Sequence, residues 1–119
     1  MSKPWNTVVE MPGYLSDANG VLDDHERAQV VQMLAEDPEC GALIPGTGGV
    51  RKVRVALGNR GKSGGARVIY YFLNEGYPVL LLALFTKAEK ANLSMAERNA
   101  LATLVGQLKN EMQKSKKGR

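Results

Sequence analysis

The chain has 119 residues, 44% of them hydrophobic, which suits one domain with a single core. Cys40 is the only cysteine, which excludes an internal disulfide framework and a cysteine-built zinc site. No apolar run approaches the roughly 18–20 residues of a membrane span, and Met1-Ser2-Lys3-Pro4-Trp5 lacks the apolar stretch of a signal peptide, so a cytoplasmic protein without membrane contact is expected. The net charge is +4, unevenly spread: residues 1–48 hold two bases and eight acids, residues 49–119 fourteen bases and four acids. Such polarity points to an anionic partner for the second part.

In chain order, Thr7 to Met11 reads as a short strand or lead-in, and Pro12-Gly13 as a break. A helix is predicted from Asp23, whose carboxylate can cap it with Glu26 in capping-box spacing. Ala28, Val31, Leu34 and Ala35 follow at helical spacing, and Asp37-Pro38 ends the helix. Gly41 to Gly49 is a turn-rich connection. From Val50 to Leu57 the residues alternate, with Val53, Val55 and Leu57 opposite Lys52, Arg54 and Ala56. A glycine-rich loop from Gly58 to Gly65 precedes a second strand, Ala66 to Leu73. Asn74-Glu75-Gly76 signals a hairpin, and Val79 to Thr86, apolar on both faces, reads as a central strand. Ser94-Met95-Ala96-Glu97 is a capping box for a last helix with Leu101, Leu104, Val105, Leu108 and Met112 on one stripe. The expectation is an α+β domain spanning residues 1–113, with helices packed on one face of a small curved antiparallel sheet. Residues 114–119 are expected to form a basic flexible tail.

The chemistry is limited by what is missing. His25 is the only histidine and falls on a surface helix, so neither a histidine-based nucleophile nor a histidine metal cluster can form. Gly61-Lys62-Ser63 is not a phosphate-binding loop, because Ala56 occupies the position of its first glycine and two strands flank it. Gly46-Thr47-Gly48-Gly49-Val50-Arg51 fails the dinucleotide pattern at Arg51. No cofactor is expected. Between Gly46 and Asn74 there is no Asp or Glu, only the cations Arg51, Lys52, Arg54, Arg60, Lys62 and Arg67. A cationic surface of this kind binds phosphates and can stabilise the charge of a phosphoryl transition state. Strand parity puts Tyr71 on the face of Arg67, as a stacking surface, and Tyr70 with Val68 and Phe72 in the core. Lys87, Glu89 and Lys90 follow the third strand, where side chains reach a site's edge.

Ile44-Pro45-Gly46-Thr47-Gly48-Gly49-Val50-Arg51-Lys52-Val53-Arg54, with Gly61-Lys62-Ser63-Gly64-Gly65-Ala66-Arg67-Val68-Ile69-Tyr70-Tyr71-Phe72, resembles the HigB branch of the RelE-type toxins of bacterial toxin–antitoxin modules. Leu82 to Ser94, with Lys87 and Glu89 before Leu93, is similar to the family's segment at the end of the last strand. The resemblance implies a RelE-like fold and a metal-independent, ribosome-dependent endoribonuclease, an mRNA interferase that inhibits translation. It also implies mRNA and the ribosome as targets, and neutralisation by a cognate helix-turn-helix antitoxin. Cleavage in the family begins with attack of a ribose 2′-hydroxyl on the adjacent phosphate. By resemblance Lys52, Arg54, Arg67 and Lys87 are the catalytic set, while Arg51, Arg60, Lys62, Tyr71 and Lys90 are expected to contact RNA. Ala88 stands where some relatives have an arginine. The alternatives are a same-fold toxin that poisons DNA gyrase without cutting RNA, and a non-toxic nucleic-acid-binding module.

Overall fold

A computed structural model describes residues 5–58 and 65–117, the side chains of residues 116 and 117 excepted. Five strands form one sheet: β1 (Val8–Glu10), β2 (Ala42–Leu43), β3 (Val50–Val55), β4 (Ala66–Tyr71) and β5 (Val79–Thr86), in the order β1-β5-β4-β3-β2. The pairs β2/β3, β3/β4 and β4/β5 are antiparallel, while β1 runs parallel to β5. The all-apolar run of β5 matches its place inside the sheet, buried on both faces along most of its length.

Three helices complete the α+β architecture: α1 (Pro12–Ala18), α2 (Asp24–Glu36) and α3 (Met95–Lys117). In α2 the expected capping box is formed: the Asp23 carboxylate accepts from Glu26 N at 2.8 Å, and Glu26 accepts from Asp23 N at 2.9 Å. Helix α3 starts the same way, Ser94 Oγ accepting from Glu97 N at 3.1 Å and Glu97 from Ser94 N at 2.8 Å. Helix α1 was not expected. Pro12-Gly13 reads as a break, but proline is well suited to the first helical position, where its missing N–H is not needed. The buried side of α2 is Val30, Leu34 and Ala35; Ala28 is exposed. Helix α3 continues to Lys117, past Met112 at the end of its apolar stripe, so the expected tail is helical as far as that residue.

The helices divide between the two faces of the sheet. Tyr14 and Ala18 of α1 and Val30 and Leu34 of α2 pack with Val68, Tyr70, Val79, Leu81 and Leu84. On the other face Val105 of α3, with Leu101, Leu108 and Met112 around it, covers Val50, Ile69, Tyr71, Leu80 and Leu82. Helices α1 and α2 therefore share one face, whereas α3, expected beside α2, crosses the other and covers part of the face that carries Lys52.

Strand β5 is irregular where it meets β4. Ile69 pairs with Ala83 and Tyr70 with Leu81, so Leu82 is an extra residue in β5, a β-bulge. Simple alternation would send Phe85 to the face of Leu81. The bulge instead turns Phe85 to the α3 face, opposite Arg67, while Leu84 joins the α1 side. The carboxylate of Asp17 accepts from Leu84 N at 3.0 Å just beyond the bulge. No helix among the described residues is long and apolar enough to cross a membrane.

Candidate functional site

Cross-strand pairing decides which cations share a surface. Lys52 lies opposite Ile69, and Arg54 directly opposite Arg67. Ile69 belongs to the cluster on the α3 face, so strand parity turns Lys52, Arg54 and Arg67 to that face. Arg54, at the exposed end of β3, also borders a hollow with Gln29 and Met33 of α2 and does not join Lys52 and Arg67 in their cleft. Like charges set directly opposite one another destabilise a sheet. An Arg54/Arg67 pair is therefore an arrangement that packing alone does not favour.

Lys52 and Arg67 line a cleft of about 180 Å³. Its other walls are Ile44 and Pro45 from the β2–β3 connection, Phe85 from the bulged strand, and Asn92, Leu93 and Arg98 from the entry to α3. No carboxylate of the described residues lines it. The guanidinium Nη1 of Arg67 is buried and has no hydrogen-bond partner among the described residues. Such a donor calls for an explanation; the Tyr14 hydroxyl, in the core on the other face, is likewise buried without a partner among the described residues. The two carboxylates between the end of β5 and the first turn of α3 are engaged elsewhere. Glu89 accepts from Thr86 N at 2.8 Å and from its hydroxyl at 3.1 Å, and Glu97 holds Lys90 in an ion pair.

Local structure holds the walls in place. Thr47 is fully buried; its hydroxyl donates to Ile44 O at 2.7 Å and accepts from Val50 N at 3.1 Å, fixing the turn that carries Ile44 and Pro45. Gly65 opens β4 with φ +59°, and a Cβ there would stand 2.2 Å from the Val55 carbonyl oxygen. Only glycine lets the start of β4, and hence Arg67, lie so close to β3.

The remaining expected site residues are placed differently. Arg51 points to the opposite face, as alternation requires: its Nη1 donates to the carbonyls of Gly41 at 2.7 Å and Glu39 at 3.2 Å, so it braces the approach to β2 rather than the cleft. Tyr71 does share the face of Arg67, but it is 2% exposed beneath α3, and burial pushes its phenol pKa upward. It is a core residue, not an open stacking surface, because α3 covers that end of the sheet. Tyr70 is buried as parity requires, its hydroxyl accepting from Gly41 N at 2.9 Å. Lys87 is exposed one residue past β5, outside the cleft walls. Lys90 pairs with Glu97, and its ammonium lies 5.2 Å from the Phe85 ring centroid. Arg60 and Lys62 lie outside the described residues.

Arg98 was missed in the sequence although a signal exists there. It stands three residues before Leu101 and seven before Val105, so it continues the buried stripe of α3 by one turn, with a cation where an apolar residue is expected. A larger hollow of about 400 Å³ beside β1, walled by Trp5, Thr7 and Tyr77, holds none of the cations.

A family model described as the RelE toxin of the RelE/RelB toxin–antitoxin system matches residues 22–117. Among solved structures, a mutant of the E. coli toxin RelE in the free state is similar in fold, with a TM-score of 0.51 at 16% sequence identity. The match covers 72% of this chain and 87% of that one.

Proposed function

The chain belongs to the RelE toxin family of toxin–antitoxin modules, and from that premise we propose that it is an endoribonuclease that cuts mRNA on the translating ribosome. The observation that carries the proposal is the cleft that Lys52 and Arg67 line with no carboxylate from the described residues, Nη1 of Arg67 being buried and unpartnered. The Gly48-Gly49-Val50-Arg51-Lys52 and Gly64-Gly65-Ala66-Arg67 elements support assignment to the HigB branch.

The chemistry follows from the donor set. A ribose 2′-oxygen loses its proton and bonds to the adjacent phosphorus. The bond from phosphorus to the 5′-oxygen breaks, and that oxygen takes up a proton, leaving a cyclic phosphate and a 5′-hydroxyl. Arg54 and Arg67 stay charged throughout and hold the phosphoryl oxygens as negative charge builds. Lys52 and Lys87 are the groups of the set that can exchange protons. Among the described residues no group of three or more His, Cys, Asp or Glu side chains is placed to hold a metal ion, so the cations are assigned the work a metal does in other nucleases. A helix-turn-helix antitoxin is proposed as the neutralising partner.

Purified protein added to programmed ribosomes is expected to cut the message, leaving a cyclic phosphate and a 5′-hydroxyl, and to leave the same RNA intact without ribosomes. A 5′-phosphate on the downstream fragment overturns the 2′-hydroxyl mechanism, and cutting of free RNA at equal rate overturns ribosome dependence. DNA damage on expression, with intact mRNA, would assign the chain to gyrase poisoning instead.

A further inference from the structure

We propose that Arg98, on the first turns of α3, is a third phosphate-binding cation of this cleft, and that the cleft seats one nucleotide of single-stranded RNA; the assignment rests on the nuclease function proposed above. Lys52, Arg67 and Arg98 come from three elements, β3, β4 and α3, and line one space of about 180 Å³. Arg98 stands seven positions, two helical turns, before Val105, which is buried against the sheet, so the side chain is directed toward the sheet rather than away from it. No hydrogen bond or ion pair engages the Arg98 side chain among the described residues, whereas its neighbour Glu97 is taken up by Lys90. Nη1 of Arg67, a residue of the same lining, is buried and likewise unpartnered. Two guanidinium groups and an ammonium converging without a carboxylate repel one another unless an anion lies between them. Two guanidinium forks suit the non-bridging oxygens of a phosphate diester. Ile44, Pro45, Phe85 and Leu93 give the same cleft an apolar lining against which a ribose or base can pack. The occupant is thus a phosphate attached to a flat apolar group, which free inorganic phosphate is not.

The test uses the full chain and a fluorescein-labelled single-stranded RNA decamer, titrated at several salt concentrations, with ribosome-dependent cutting measured in parallel. Arg98→Ala is expected to weaken binding about tenfold and to reduce the salt slope by about 0.7, the value of one phosphate contact on a single strand. Arg98→Lys is expected to keep the slope while losing affinity, because lysine supplies the charge without the fork. Lys109→Ala, on the exposed side of α3, is expected to change neither. Arg98→Met keeps the side-chain stem and serves if the alanine variant unfolds. Wild-type slope and affinity in Arg98→Ala or Arg98→Met overturn the inference while cutting by the wild type upholds the function. Conversely, Arg98-dependent binding by a protein that cuts nothing on ribosomes upholds the phosphate site and overturns the nuclease. Equal competition by inorganic phosphate and by a nucleoside monophosphate overturns the nucleotide subsite.

Discussion

Replacing Arg67 by methionine should make the protein more stable and abolish its activity. The substitution keeps most of the side-chain volume and removes the charge. A buried donor without a partner costs about 1–3 kcal/mol, and Arg67 Nη1 is such a donor. Its cross-strand opposition to Arg54 adds about 0.2–1 kcal/mol of repulsion. Because Arg67 is only partly buried, the gain is taken at the low end, about 1 kcal/mol. For a domain of this size that raises Tm by about 3–6 °C. Removing one donor to a transition-state oxyanion lowers rates by about 10²–10³, and a fall of that order is expected in ribosome-dependent cutting. Thermal unfolding followed by circular dichroism and a cleavage assay on the same preparation provide both numbers. A lower Tm would mean that Arg67 holds the fold together; unchanged cleavage would mean that it does not meet the substrate.

Gly65→Ala should destabilise by about 2–4 kcal/mol, since it combines a left-handed backbone with a clash against the Val55 carbonyl; denaturant titration reads this directly. Tyr70→Phe deprives Gly41 N of its buried acceptor and should cost about 1–3 kcal/mol in the same measurement. Alkaline titration at the tyrosine absorbance should show late ionisation. Burial pushes the phenols of Tyr14 and Tyr70 up to about 12 from the ordinary 10.0. The native state then keeps protons that the unfolded chain releases, so this contribution is complete below about pH 10 and is lost as pH rises through about 12.

Much of the fold is legible in local chemistry. Capping boxes at Asp23 and Ser94 mark two helix starts, and the apolar run Val79–Thr86 marks the central strand with its observed bounds. Helix α1 is hidden because Pro12-Gly13 serves equally as a break and as a helix start. The two-residue strand β2 is too short to carry a period. The parallel pairing of β1 with β5 and the placing of α3 depend on contacts distant in sequence.

The site divides along the same line. Alternation groups Lys52 with Arg54, apart from Arg51, and Arg67 with Tyr71, but the register of β3 against β4 is what brings Arg67 to the face of Lys52. Burial of Tyr71 depends on α3, which strand parity cannot register. Phe85 reaches the cleft only through the bulge at Leu82, an irregularity with no mark in an unbroken apolar run. Arg98 is the instructive omission: a cation in line with a buried stripe stands out only when the stripe is extended beyond its last apolar member.

Primer-extension mapping of mRNA after brief induction in a bacterium, with Arg67→Met alongside, tests the central claim most directly. Discrete cuts within translated regions, appearing before growth slows and absent from the Arg67→Met culture, are predicted. Intact transcripts in arrested cells expressing the unmodified protein would contradict the assignment of the Lys52/Arg54/Arg67 face to RNA cleavage.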